Sequence, residues 1–550
     1  MHTRSYLLYI LLSLVLAFIY AAFPSRMHFT DGLYYAYHLE KFPISQSWHP
    51  HHLLWLPLMH VIFDLIRAVF PDYRAMAFLQ LSNAILGGLC IFLFILLVCK
   101  ITRNNNAGIM SGLLLGSSWG MMHYSADANI YTLVLVFTFL TLLIIVSGYP
   151  LTLKRAVFAT IMMTLVTSLH QMGFFFAFVV LTGIIVRSQR SSRLRNAIIC
   201  AFIYSVLTVI MYYGVYLLIR DQLFGEVGTG FFNWLTVYGQ RREFWTMFSR
   251  GFLLAQEIFV RAQLNLFLHI QDTIKAFSEQ GYRETYNTLV LYVIFHMIIL
   301  LSVLFEVKNH IIFNYNKQDP QLRSIRQMLI LWFMLYFIFN QFYCAFEIHY
   351  KLFYLPPLLL IWTFQILESS PRERKIWNVL TVAILSGMFI WNTTTGVIPN
   401  SHPENNPFLK DVLALKQIVT DDDLVIYARH ERYLSALTRV YTSADSVFFQ
   451  TEFRYSSGEK NFDEINKITI EYLKQRYKRI ILSDNAFKSG YNKWFFSGHL
   501  LPPPHPEFIA FNRRWMYEIS QIKTEDGKIY HEMGFLSELT IQETILSTNQ

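Results

Sequence analysis

The chain has 550 residues, of which 54% are hydrophobic and only 15% charged. A soluble globular chain carries about 25% charged residues, so the composition excludes an ordinary soluble enzyme; apolar runs long enough to span a bilayer recur along most of the sequence. The net charge of +9 does not indicate a nucleic-acid partner, because many basic residues sit in short loops between apolar runs, where they set membrane orientation.

The N-terminal stretch MHTRSYLLYILLSLVLAFIYAAFPS places Arg4 before an apolar core and small residues at Ala21 and Ala22, as a signal peptide does. It is long enough to span, and it reads as an uncleaved first helix. An outer loop over 24–75 follows. Within it, HLLWLPLMHVIFDLIRAVF (52–70) is apolar but carries His60, Asp64 and Arg67. If it crossed the membrane, every later loop would invert, so it is predicted to lie along the interface with its charges on the wet side. Spans are then predicted over 76–99, 128–148, 172–186 and 353–368. Lys100 and Arg103, Lys154 and Arg155, Arg187 to Arg195, the 306–326 loop with Lys308, Lys317, Arg323 and Arg326, and Arg372 to Lys375 all fall in alternate loops. These face the cytoplasm by the positive-inside rule. The intervening loops at 123–129, 169–173 and 347–351, the long loop at 220–285 and the tail face the other side. About eleven spans result, with the N-terminus inside. A second interfacial piece is expected at 251–270.

The domain organisation predicted is a transmembrane domain over 1–398 and a small extracytoplasmic α/β domain over 399–550. In the tail, DDDLVIYARHERYLSALTRVY reads as strand then helix, and YLKQRYKRIILSDNAF as helix then strand. LPPPHP at 501–506 reads as an extended loop. No glycine-rich phosphate loop, metal signature or internal repeat is seen. The four cysteines, Cys90, Cys99, Cys200 and Cys344, all lie in apolar runs without metal-ligand spacing and read as small buried hydrophobes.

With this topology, polar groups gather on the outer face. They are Asp31 after the first span, Asp127 in the 123–129 loop, His170 and Gln171, Arg241 and Arg242 in the long loop, and Glu347, His349 and Lys351. Ionisable groups near membrane depth are costly, which makes function their default reading. Each also has a plain structural reading. Asp31 and Asp127 are good helix caps, His170 is a hydrogen-bonded packing residue, Arg241 and Arg242 form a solvated or headgroup-facing pair, and Glu40 beside Lys41 is a solvated charge. His49, His51 and His52 invite a zinc reading, but their spacing does not by itself place three ligands on one tetrahedral site. They read as polar interfacial anchors, with His49 and His51 as substrate contacts.

An acidic residue after the first span, an HP followed by an apolar interfacial helix, and a second acidic residue in the next outer loop together resemble the GT-C membrane glycosyltransferases. This superfamily includes protein O-mannosyltransferases, the aminoarabinose transferases of lipid A and RgtA/B/C/D-like lipopolysaccharide sugar transferases. The segments are FTDGLYYAYHL with Asp31, WHPHHLLWLPL, HYSADANIYTLVLVFTFL with Asp127, and FEIHYKLFYLPPLLLIW at 346–362. The likeness covers about residues 1–400. Two positions depart from the family pattern: Gly32 follows Asp31 where many relatives carry a second acid, and His51 replaces the second proline of HPP.

The resemblance implies a polytopic α-helical GT-C fold and an inverting glycosyltransferase that takes a sugar from a polyprenyl-phosphate donor. The acceptor would be a glycan, lipid or protein hydroxyl. It implies Asp31 as general base and Asp127 as the residue that orients the acceptor or binds a sugar hydroxyl. Lys351, Arg241 and Arg242 would hold the phosphate, with His170 donating a hydrogen bond and His49, His51 and His349 touching substrate. No cofactor is required by this chemistry, and a divalent metal is left open. The expected location is a bacterial inner (plasma) membrane with the tail domain extracytoplasmic. Two other readings stand beside it: an O-antigen polymerase or ligase, which would rest on Arg241 and Arg242, and a lipid-linked sugar flippase, which would want charges at the midplane and a repeat.

Overall fold

The computed structural model describes residues 3–220, 230–236, 320–342, 348–427, 432–448, 476–483, 518–523 and 529–534. They divide into two compact units, Met1–Ser25 with His38–Ser401, and Arg26–Tyr37 with His402–Gln550. Arg241 and Arg242, the 251–270 piece, Lys308, Lys317, Cys344, Glu347 and the 501–506 loop lie outside the described residues.

The first unit is helical. Its helices are α1 (Thr3–Ala22), the C-terminal end of α2 (Thr30–Lys41), α3 (Trp55–Val69), α4 (Ala75–Thr102), α5 (Asn105–Ser117), α6 (Trp119–Ala126), α7 (Tyr131–Val146), α8 (Leu153–Leu169), α9 (Gly173–Arg187), α10 (Arg193–Ile219), α11 (Phe231–Thr236), α12 (Pro320–Phe342), α13 (Ile348–Lys351), α14 (Leu355–Glu368) and α15 (Pro371–Trp391). Among the described residues five helices are long and apolar enough to cross a membrane, or six if α6 and α7 count as one broken span. The shorter α9 and α14 are apolar as well. Part of the expected eleven spans falls outside the described residues.

Lipid gives helices no hydrophobic reason to associate, so close packing of small residues matters more than in water. Tyr9, Leu16 and Tyr20 of α1 pack with Ala84, Ile91 and Ile95 of α4. The crossing depends on Gly88, where a Cβ would stand 2.7 Å from the Cβ of Ala17 and 2.9 Å from the carbonyl of Ser13. Opposite this contact, α1 exposes Leu7, Leu11, Leu14 and Phe18, a stripe at helical spacing suited to acyl chains.

The apolar helix expected over 52–70 begins later than the sequence suggests. A 3-10 turn, Pro50–His52, precedes α3. With 15 residues, α3 falls short of the ~20 needed to span a bilayer. Leu58, Val61, Ile62, Leu65 and Val69 are exposed along it, while Trp55, Met59 and Phe63 are buried. His60 is buried, donates from Nε2 to the Phe42 carbonyl (2.8 Å) and lies 3.2 Å from the exposed Asp64. An apolar face with charges at its border is what an in-plane helix requires.

Two charged residues behave differently from their sequence reading. Glu40 is not a solvated charge. It accepts hydrogen bonds from Arg74 Nε and Nη2 (both 2.9 Å) and from the Ala75 amide (2.9 Å), so it caps α4. Arg187 is not a loop charge either; it is 2% exposed. Its guanidinium donates to the carbonyls of Ile145 (3.1 Å), Gly148 (3.2 Å) and Gln321 (3.5 Å). It thereby ties the end of α7, where the last helix carbonyls lack intrahelical partners, to the first turn of α12. Hydrogen bonds to a charged group are worth about 1.5–3 kcal/mol. Arg187→Met is expected to lower the melting temperature in detergent by several degrees or more, and an unchanged melting curve would refute this role.

The second unit holds the N-terminal part of α2, α16 (Pro407–Leu415), α17 (Arg432–Tyr441) and the strands β1 (Asp423–Tyr427), β2 (Asp445–Phe448), β3 (Arg479–Ser483), β4 (Glu518–Lys523) and β5 (Ile529–Gly534). The sheet order is β2-β1-β3-β5-β4. β1 pairs in parallel with β2 and β3, whereas β5 runs antiparallel to both β3 and β4. The interior strand β1 is continuously apolar after Asp423, and Leu424, Val425 and Tyr427 are fully buried, as expected where both faces are covered. Asp423 and Arg479 are register partners and form a two-point ion pair (2.9 and 2.6 Å). Burial acts to raise the Asp423 carboxyl, but the hydrogen bonds from Arg479 and Thr420 prevail and hold it below the usual carboxylate range.

Candidate functional site

In the first unit, the site is built around the break between α6 and α7, which bend by 119°. Asp127 lies at this break as the C-terminal cap of α6 and is fully buried. It does not cap α7; Asn129 Oδ1 accepts from the Tyr131 amide (2.9 Å) and does so instead. Asn83, in the middle of α4, donates to the carbonyls of Asp127 (2.8 Å) and Asn129 (2.9 Å) and accepts from Thr132 (2.5 Å). A broken helix inside a bundle survives only if such groups replace the lost backbone bonds. The chain leaving α1 is tied to the same place: the Ser25 amide donates to the Ala126 carbonyl (2.8 Å), and Gln80 donates to the Ser25 carbonyl (2.7 Å).

A second loop joins from α8 and α9. His170 ends α8 and is fully buried. The turn is tight because Gly173 permits it: a Cβ there would stand 2.7 Å from backbone atoms of Thr167. The Met172 amide donates to His170 Nδ1 (3.0 Å), so the neutral ring carries its proton on Nε2 and is a donor there. The 3-10 turn Pro50–His52 is fastened to this loop. The Gln171 amide donates to the His51 carbonyl (3.1 Å), and the Leu54 amide donates to the Ser168 carbonyl (3.0 Å). His49 accepts from the His51 amide (3.3 Å) and caps the turn. Gln171 Nε2 donates to the Leu235 carbonyl (3.0 Å), which aims its Oε1 at His51 Nδ1 (3.1 Å). His51 therefore donates from Nδ1 and keeps a lone pair on Nε2.

Burial pushes the His51 imidazole down to about 4, against the opposing pull of its hydrogen bond to Gln171. The unfolded chain then binds a proton where the folded chain does not. Stability contributed by neutral His51 is complete above about pH 6.5 and is lost as pH falls toward about 4. His51→Gln is expected to flatten the decline of melting temperature over that window relative to the parent, and an identical decline would refute it.

Around His170 stands a wall of rings. Its ring centroid lies 4.6 Å from His51, 4.9 Å from His52, 5.6 Å from Tyr131, and 6.0 Å from both Tyr350 and Phe353. Lys351 falls between the last two in sequence, on α13, and is 2% exposed. His349 is on the same short helix. Thus the first unit brings together His51, His170 and the α13 segment, with Asp127 at the break from which Tyr131 starts α7. Asp31 is in the second unit, half-buried in the first turn of α2, where free amides stabilise negative charge. Tyr131, Tyr350, Phe353, Asn83 and Asn129 escaped the sequence reading. Only Asn83 carried a signal, as an amide within an apolar span.

His51, His52 and His170 offer nitrogens within 4.8 Å of one another. The donor chemistry does not make them a ready metal site. His51, whose Nδ1 donates to Gln171, keeps a lone pair on Nε2, but His170 accepts on Nδ1, which leaves its proton on the nitrogen a metal would need. The reaction proposed below needs no metal.

Compared with solved structures, the chain shares the fold of ArnT. It is similar to ArnT from Cupriavidus metallidurans bound to undecaprenyl phosphate, with a TM-score of 0.55 and 11% identity over 98% of this chain and 99% of that one. The apo state of the same protein gives a TM-score of 0.57 at 10% identity, over 96% and 97% of the two chains. No family model matches the sequence, and no curated protein matches it.

Proposed function

We propose that this protein transfers a sugar from a polyprenyl-phosphate donor to an acceptor hydroxyl at the outer face of the membrane, with inversion. The observation that carries the reading is the GT-C fold over the whole chain, shared with a protein solved with undecaprenyl phosphate. The chemistry of the residues supports it. Asp31 takes the proton of the acceptor hydroxyl as the acceptor oxygen bonds to the anomeric carbon. The bond from that carbon to the phosphate oxygen breaks in the same step, and polyprenyl phosphate leaves as an anion. A phosphate leaving group is already stable, so a base and cations suffice, and no strong acid is required. Lys351, with Arg241 and Arg242, holds the phosphate. His170 donates from Nε2, and Asp127 orients the acceptor or a sugar hydroxyl. Neutral His51 and the turn-capping His49 suit hydroxyls rather than phosphate, and His349 is a further substrate contact.

The protein is an integral glycosyltransferase of a bacterial plasma membrane, with the domain over 399–550 outside the cytoplasm. Its test is mass spectrometry of envelope glycans in a deletion strain against its parent, joined to transfer by purified protein from a polyprenyl-phosphate sugar. A missing glycan and transfer in vitro support the reading; unchanged glycans and no transfer from any such donor refute it. Alanine at Arg241 and Arg242 abolishing turnover while Asp31→Ala spares it would instead favour a polymerase or ligase.

A further inference from the structure

The segment Arg26–Tyr37 follows α1 in sequence but packs with the C-terminal α/β unit. Four contacts fasten it there. Asn406 Nδ2 donates to the Arg26 carbonyl (2.7 Å), and Tyr433 Oη donates to the His28 carbonyl (3.0 Å). His28 Nε2 and Tyr441 Oη share a short hydrogen bond, with their rings 5.6 Å apart. The Arg439 guanidinium lies over the Tyr37 ring at 5.0 Å.

Each holding group is itself held. Asn406 Oδ1 accepts from the Phe408 and Leu409 amides (both 3.1 Å) and so caps α16. The Tyr433 ring packs on Phe408 at 5.5 Å. Arg439 Nε donates to the Ser446 carbonyl (2.6 Å), which fixes the guanidinium against β2. His28 is 5% exposed, and Leu33, Tyr35 and Ala36 are buried in the same segment. The contacts bracket Asp31: Arg26 and His28 precede it, and Tyr37 follows it one and a half turns later on α2.

We infer that the α/β unit sets the position of Asp31, with Tyr433, Tyr441 and Arg439 as positioning residues acting through His28 and α2. The inference rests on the proposed role of Asp31 as base. A base must meet the hydroxyl proton within hydrogen-bond reach, and the contacts of Asn406, Tyr433, Tyr441 and Arg439 hold the chain on both sides of Asp31. A displacement of about 1 Å at a reacting group can lower the rate about 10²-fold. This gives the tail domain a task in the reaction although it offers no phosphate loop of its own.

The test uses full-length protein in lipid nanodiscs. Tyr433→Phe and Tyr441→Phe combined remove two hydroxyls and keep both rings. The pair is expected to lower kcat about 10- to 100-fold, with the donor KM unchanged. Amide exchange in 28–37 should rise while exchange elsewhere in the chain stays as in the parent. Added to Asp31→Asn, the pair should lower kcat no further. If the double variant does not fold, Tyr433→Phe alone is read in the same way. Unchanged exchange in 28–37, or a loss that multiplies that of Asp31→Asn, overturns the inference while leaving the base assignment intact. Full activity of Asp31→Asn alone overturns the base assignment and the catalytic purpose of the positioning with it.

Discussion

Asp31→Asn is expected to lower kcat by about 10²–10⁴-fold, the range of general-base assistance, with little change in donor KM or melting temperature. An acceptor hydroxyl is a poor nucleophile, and removing its proton as the new bond forms is the contribution a side chain can make. Asparagine keeps the shape and the hydrogen-bonding oxygen but cannot take the proton. The fold should tolerate it, because Asp31 is half-buried in a first helical turn, where losing the charge costs only about 0.3–1 kcal/mol of helix-dipole interaction. Steady-state kinetics on purified protein checks this, and near-normal turnover removes the base assignment.

Lys351→Met is expected to lower kcat by about 10²–10³-fold, as for loss of one preorganised group that stabilises transition-state charge. Lys351 is 2% exposed, so its ammonium acts where water screens it little. Methionine has similar length and no charge. Steady-state kinetics and the melting temperature of the same purified variant separate a phosphate-holding lysine from a structural one, because the first loses kcat beyond any loss of fold. A variant that loses stability and keeps kcat would place Lys351 in the scaffold.

The apolar helices at 76–99, 172–186 and 353–368 could be read from composition alone. They correspond to α4 (Ala75–Thr102), α9 (Gly173–Arg187) and α14 (Leu355–Glu368), of which α4 is long enough to cross a membrane and the other two are shorter. The GT-C likeness could also be read in the order of short motifs, and the fold agrees. Glu40 could not. Its partner, Arg74, is 34 residues away, and no local pattern announces such a pair. The same holds for Arg187, whose acceptors are backbone carbonyls on two other helices. At the α6–α7 break the sequence placed a carboxylate but could not choose the cap. Asn129 took that place, and Asn83 from α4 holds the break open. The ring wall at His170 draws on α7, the 49–52 turn and the α13 segment, so none of its members predicts another.

The sequence by itself determined which stretches are apolar helices, which loops carry charge, and which acids and bases are available for chemistry. These are properties of single residues and of their nearest neighbours along the chain. Only the tertiary structure decided which of those groups are caps, which meet at His170, and that the Asp31 segment packs with the α/β unit. Such outcomes depend on bonds closed across loops of tens to hundreds of residues, where the stabilising partner is set by packing and leaves no trace in local order.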